Sequence, residues 1–166
     1  VTVVNPPPKQ RWFDDYIPGE VLEFGDYLVT AEEIVEFARR YDPQPFHLDP
    51  AAAAATHFGG LVASGWMSCS IAMRLLCDHF IPPQASMGSP GMDEIRWLKP
   101  VRPGDRLRLR MHVLEVKPSQ SKPDRGVVFG LHELINQHGE VVLSQRGRGM
   151  YRRRPADCAS PQESTP

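Results

Sequence analysis

Residues Trp66 to Phe80 run Trp-Met-Ser-Cys-Ser-Ile-Ala-Met-Arg-Leu-Leu-Cys-Asp-His-Phe, with no internal proline or glycine. The stretch is longer than an ordinary strand and stops at Pro82-Pro83, so it reads as a helix. Apolar groups nearly surround it, and Arg74, Asp78 and His79 are confined to its second half. A helix of that kind needs covering on most sides. It falls short of the ~20 apolar residues that span a bilayer, so the cover is protein.

The cover follows in the chain. Met92 to Leu98 reads as a strand, then Pro100 to Asp105 as a polar turn. Arg106 to Val113 alternates, with Leu107, Leu109, Met111 and Val113 on one face and Arg106, Arg108, Arg110 and His112 on the other. That is a half-buried antiparallel strand. Gly126–Ile135 and Glu140–Tyr151 make a hairpin around Asn136-Gln137-His138-Gly139. Upstream, Glu20–Val29 is a strand, and Thr30 with Glu33 forms a capping box for a helix whose apolar face is Ile34, Phe37, Ala38 and Tyr41. Pro43 ends that helix, and Pro50 before five alanines starts a short one. One strand, a long buried helix and a meander of strands is an α+β pattern, most simply a sheet wrapped around the helix.

Residues 1–10 and 152–166 read as tails, leaving a domain over residues 11–151. A formal net charge of −1 gives no global pull toward nucleic acid or an anionic membrane surface, and no partner of either kind is expected. The proline-rich start lacks the apolar core of a signal peptide. Three cysteines make no disulfide framework; Cys69 and Cys77 read as small buried apolar residues. No CxxC or HExxH spacing occurs, so neither a metal nor a cofactor is expected, and a reducing cytoplasm is the expected compartment.

The polar residues that invite a chemical reading are Asp42 and His47, in Asp42-Pro43-Gln44-Pro45-Phe46-His47. The two prolines exclude helix and place both side chains on a stiff loop after a helix end. Five extended residues span about 17 Å, so the loop has to fold back if both groups are to act on one water. Taken singly, each reads more readily as structural. The downstream helix changes the balance, because a helix starting at Gly65 offers free N–H groups and the positive end of a dipole. Such an end polarises a thioester carbonyl and stabilises an enolate. An acid/base pair and an anion-stabilising helix end together suit addition or loss of water across an acyl thioester.

At these residues the chain resembles a known family. Phe37-Ala38-Arg39-Arg40-Tyr41-Asp42-Pro43-Gln44-Pro45-Phe46-His47-Leu48-Asp49-Pro50 is similar to the hydratase motif of the MaoC-like, or R-specific enoyl-CoA hydratase, family. Phe58 to Gly65 and Leu98 to Asp105 match two further segments of that family, in order, within a resemblance covering Ile17 to Tyr151. The resemblance implies a hotdog fold, an acyl-CoA substrate whose CoA needs no separate cofactor, and assembly as a homodimer or larger homo-oligomer. It implies Asp42 and His47 as the pair that activates water and Gly65 as the N–H that binds the thioester oxygen.

There are departures. Gln44 stands where the family often has Asn, and Met73 where some members carry a serine; Ser70 is the nearest hydroxyl, so no serine role is carried over. Ser64 reads as a helix cap, and Trp66 and Met67 as core. Arg96, Lys99 and Arg102 read as solvated strand ends, with CoA phosphates as the alternative. A hotdog thioesterase and a non-catalytic acyl-CoA-binding protein are the alternative functions.

Overall fold

The protein's computed structural model describes residues 6–155. It is the α+β hotdog arrangement: one antiparallel sheet with a long helix laid on it. The strands are β1 (Val21–Leu28), β2 (Gly91–Trp97), β3 (Arg106–Pro118), β4 (Arg125–Ile135) and β5 (Val141–Arg152), in the order β1-β3-β4-β5-β2. The helices are α1 (Ala31–Tyr41), α2 (Pro45–Leu48), α3 (Pro50–Ala54) and α4 (Gly65–His79).

The alternation in β3 sets the core. Leu107, Leu109, Met111 and Val113 are all buried, in one cluster with Ile71, Ala72, Leu75 and Leu76 of α4. Each such side chain contributes roughly 1.5–3 kcal/mol by leaving water. The strand continues five residues past Val113 because a bulge between Val113 and Glu115 resets its pairing with β4. A second bulge lies in β1, where Gly25 has φ +86° and α4 approaches so closely that a Cβ there would sit 2.6 Å from Leu75 Cδ2. Glycine is needed there on both counts.

Several sequence expectations are corrected. Thr30 accepts from the Glu33 N–H at 3.2 Å, but the Glu33 carboxylate accepts from the Tyr27 hydroxyl at 2.7 Å, so only half of the capping box forms. Tyr41 is 69% exposed, because at the last turn of α1 its ring rests on Phe37, 5.0 Å away, outside the core. α4 is not covered all round. Trp66, Ser70, Met73 and Cys77, at helical spacing, form an exposed stripe, so Cys77 and Trp66 are not core residues. Cys69, one turn past Gly65, is half-buried.

Residues read as the ends of the tails make contacts of their own. Pro8–Gln10 forms a 3-10 turn whose Lys9 ammonium donates to the Cys77 carbonyl. Arg153 and Arg154 pair with Asp14 and Asp15. The buried Arg11 forks onto both carboxylate oxygens of Glu20. Residues 1–5 and 156–166 lie outside the described residues. Among the described residues no helix is long and apolar enough to cross a membrane.

Candidate active site

α1 ends at Tyr41, and Asp42 caps it, donating its N–H to the Ala38 carbonyl at 2.9 Å. The Gln44 N–H then turns back to the Asp42 carbonyl at 2.7 Å. Pro45 follows as the first residue of α2, where its missing N–H leaves no helical bond unmade. His47 lies on this turn, with its N–H on the Gln44 carbonyl at 3.0 Å. The expectation that two prolines exclude helix is therefore corrected: Pro43 closes one helix and Pro45 opens another. This tight reversal folds the Asp42–His47 segment back on itself.

The reversal brings the two side chains together, with His47 Nε2 3.3 Å from Asp42 Oδ2. The His47 ring is buried, and its Nδ1 lies 2.7 Å from the Val62 carbonyl. A carbonyl only accepts, so Nδ1 carries the proton, and in the neutral ring Nε2 is left as a bare acceptor. Two acceptors facing each other at that distance call for a shared proton or for a donor, such as a water in the cleft, that bonds to both from the side.

Asp42 is held from both sides. Its Oδ2 accepts from Ser64 Oγ at 2.6 Å and its Oδ1 from Gln44 Nε2 at 2.6 Å. Burial pushes the carboxyl pKa up, but the hydrogen bonds from Ser64 and Gln44 and the nearby His47 ring outweigh it, and Asp42 lies below the ordinary carboxylate value. Ser64 also caps α4, its Oγ accepting from the Trp66 N–H at 3.2 Å. One hydroxyl thus ties the start of α4 to the acid.

Gly65 opens α4. The first N–H groups of a helix have no intrahelical acceptor; Ser64 takes that of Trp66, and that of Gly65 donates to no group among the described residues. Trp97 packs so closely that a Cβ on Gly65 would lie 2.5 Å from its Nε1, so a larger residue at position 65 would displace the indole. Asp42, His47 and Gly65 line one cleft of about 420 Å³, whose walls include Phe46, Phe58 and Trp97.

Among the cations weighed for phosphates, Lys99 lines this cleft while pairing with Glu140, and Arg96 pairs with Glu94. Arg102 donates to the Phe58 carbonyl at 2.6 Å, pinning the loop between α3 and α4 to the turn before β3. Met67 is core, as expected, whereas Ser70 is exposed and bonds to the Trp66 carbonyl. Reading the sequence missed the Val62 carbonyl, the Ser64 hydrogen bond to Asp42, and Trp97. A backbone carbonyl leaves no mark in a sequence, and Trp97 reads as one more apolar strand residue. Ser64, beside a helix start, carried half of its signal.

Comparison with known proteins gives the same family. The model of the MaoC like domain matches residues 15–129. A MaoC-like dehydratase from Rhodospirillum rubrum superposes with a TM-score of 0.82 at 41% identity, covering 87% of this chain and 99% of that one. A mesaconyl-CoA hydratase from Cereibacter sphaeroides is 41% identical over 164 residues; the match covers 94% of this chain but only 45% of that protein. A 3-hydroxyacyl-thioester dehydratase from Mycobacterium tuberculosis is 30% identical over 102 residues, 60% of this chain and 68% of its own length. The chain belongs to the MaoC-like domain family, among the hydratases and dehydratases of the hotdog fold.

Proposed function

We propose that this domain reversibly hydrates a trans-2-enoyl-CoA to the (R)-3-hydroxyacyl-CoA, with Asp42, His47 and the Gly65 N–H as its catalytic groups. The observation that carries the reading is the fixed His47 ring: with Nδ1 tied to Val62, Nε2 is left free to take a proton, 3.3 Å from Asp42. Water bound beside the two, in the cleft, attacks C3 of the enoyl thioester and gives a proton to Nε2. The C2–C3 π electrons move onto the thioester as an enolate, whose oxygen accepts from the Gly65 N–H at the positive end of α4. The proton held by the Asp42–His47 pair is then delivered to C2, which completes the addition of water and returns the ring to its neutral form. Asp42, kept ionised by Ser64 and Gln44, orients the water and stabilises the imidazolium. General acid–base catalysis contributes on the order of 10²–10⁴-fold, and an oxyanion donor about 10²–10³-fold. The relatives named for mesaconyl-CoA hydration and 3-hydroxyacyl-thioester dehydration support this reaction class, and the R hand rests on the family resemblance.

The test is incubation of the purified protein with crotonyl-CoA. Loss of enoyl absorbance, an R-configured product and no free thiol are expected. Free CoA would make it a thioesterase, and no turnover with retained binding would make it a binding protein.

The exposed stripe on α4 and the edge of β2, unpaired among the described residues, support a second copy of the chain as partner. Sedimentation at micromolar concentration is expected to give a dimer or a larger homo-oligomer; a monomer would refute this.

A further inference from the structure

A second cavity, of about 450 Å³, lies between α4 and the sheet. Its floor follows from the strand register. Across β3, β4, β5 and β2, Leu109, Leu134, Leu143 and Trp97 stand opposite one another in one row. The next row on the same face is Met111, His132, Gln145 and Ile95, all lining the cavity. In the row beyond, Gly130 faces Gly147. Same-face rows are about 7 Å apart, two residues at ~3.3 Å each. Two adjacent polar side chains thus lie in the middle of an apolar floor.

Packing alone does not account for them. His132 Nδ1 is buried and has no hydrogen-bond partner among the described residues, which is rare for a buried polar atom. Gln145 beside it is also buried. The glycine row lets methionine side chains pack beside the pair. A Cβ on Gly130 would lie 2.4 Å from Met111 Cε and 3.1 Å from His132 Nε2, and one on Gly147 would lie 2.4 Å from Met92 Sδ. Arg148 also borders the cavity, but its side chain alternates to the other face of β5, where the guanidinium pairs with Asp93 and lies 5.2 Å over the Phe129 ring. Among the described residues no aspartate or glutamate lines the space. Its polar lining thus offers the hydrogen-bonding groups of His132 and Gln145 and no acid, which suits an anionic acceptor. Burial pushes the His132 pKa down to about 4, so the ring is neutral.

We propose that His132 and Gln145 are specificity-determining residues, selecting a short acyl chain that ends in a carboxylate. This rests on the hydratase reading above and names its substrate class. The distances suit it. Cys69, on the cavity wall, is four residues beyond Gly65, about 6 Å along the helix. Cys69 also contacts Gln145 and Trp97, so the polar row begins one step past the indole that bounds the cleft. With carbon–carbon bonds near 1.5 Å, a chain of about five or six carbons from the thioester covers that step. The chain passes Trp97, whose side chain is about half exposed.

The experiment is calorimetric titration with adipyl-CoA and hexanoyl-CoA, equal in carbon count and different only at the far end. Both are saturated, so binding is read without hydration. The wild-type protein is expected to prefer adipyl-CoA by about tenfold or more. His132→Leu should abolish that preference and leave hexanoyl-CoA affinity equal or higher. Gln145→Glu, nearly isosteric and of like charge to the tail, should do the same and guards against a packing defect in the first variant. Equal or better wild-type binding of hexanoyl-CoA, no binding of either thioester, or an undiminished adipyl preference in both variants would overturn the inference. A carboxylate preference without crotonyl-CoA hydration would count against the hydratase reading alone.

Discussion

Ser64→Ala removes one oxygen with two functions. The hydroxyl caps α4 through the Trp66 N–H and donates to Asp42 Oδ2 at 2.6 Å. Loss of a serine cap costs about 1 kcal/mol. The bond to an ionised carboxylate adds about 1.5 kcal/mol, less whatever a water recovers in the space left. The sum is about 2 kcal/mol, or a fall in Tm of ~4–8 °C for a chain of this size. The sign of the pH effect follows from Asp42. Its folded pKa is depressed, so it contributes stability that is fully present above the unfolded value and lost as pH falls through the folded one. Without the Ser64 donor the folded pKa rises toward the unfolded value, and this contribution shrinks. The acid limb of kcat/KM for crotonyl-CoA should move to higher pH for the same reason, as a property of the coupled Asp42–His47 pair. The assays are thermal unfolding at neutral and acid pH and a pH–rate profile. A Ser64→Ala profile superimposable on wild type, with Tm lowered, would reduce Ser64 to a cap and refute the coupling.

Three further substitutions test other parts of the structure. Gly65→Ala drives a methyl into the Trp97 indole, so kcat/KM should fall by about 10–100-fold with a change in tryptophan emission; unaltered emission would show that Trp97 does not pack there. Gly25→Ala meets both the positive φ and the Leu75 side chain, and a loss of about 2–4 kcal/mol is expected in urea unfolding, against none if the β1 bulge is relaxed. Glu20→Gln leaves the buried Arg11 charge without its partner and should cost about 2–4 kcal/mol, more than Arg11→Met, which removes the charge itself. Equal losses would show that the pair is effectively solvated.

Much of this was open to reading in the sequence because it is local. The alternation from Leu107 to Val113, the Thr30 cap and the proline stop after α4 each depend on neighbours within one or two turns, and each lies where the pattern puts it. Long-range facts were less accessible. Cys77 and Met73 satisfy the apolar pattern of α4 yet face outward, because the sheet covers one side of the helix and the pattern does not say which. In the sequence Pro45 reads as a helix breaker, whereas its position after Gln44 makes it a helix starter; a proline breaks a helix from inside and begins one from its first position. Asp42, His47 and Gly65 stood out by residue type, but their meeting depends on that reversal and on the Val62 carbonyl, which composition does not reveal. The Met111–His132–Gln145–Ile95 row needed the strand register, because its members lie on four separate strands.

The water-activating pair is tested most directly by steady-state hydration of crotonyl-CoA with Asp42→Asn and His47→Gln, each checked for wild-type circular dichroism and thioester binding. If the pair activates the water, both variants bind and fold as wild type while kcat falls by about 10²–10⁴-fold. The double variant should then be little worse than either single one, because the two groups act as a unit. Wild-type turnover in either folded variant would contradict the assignment.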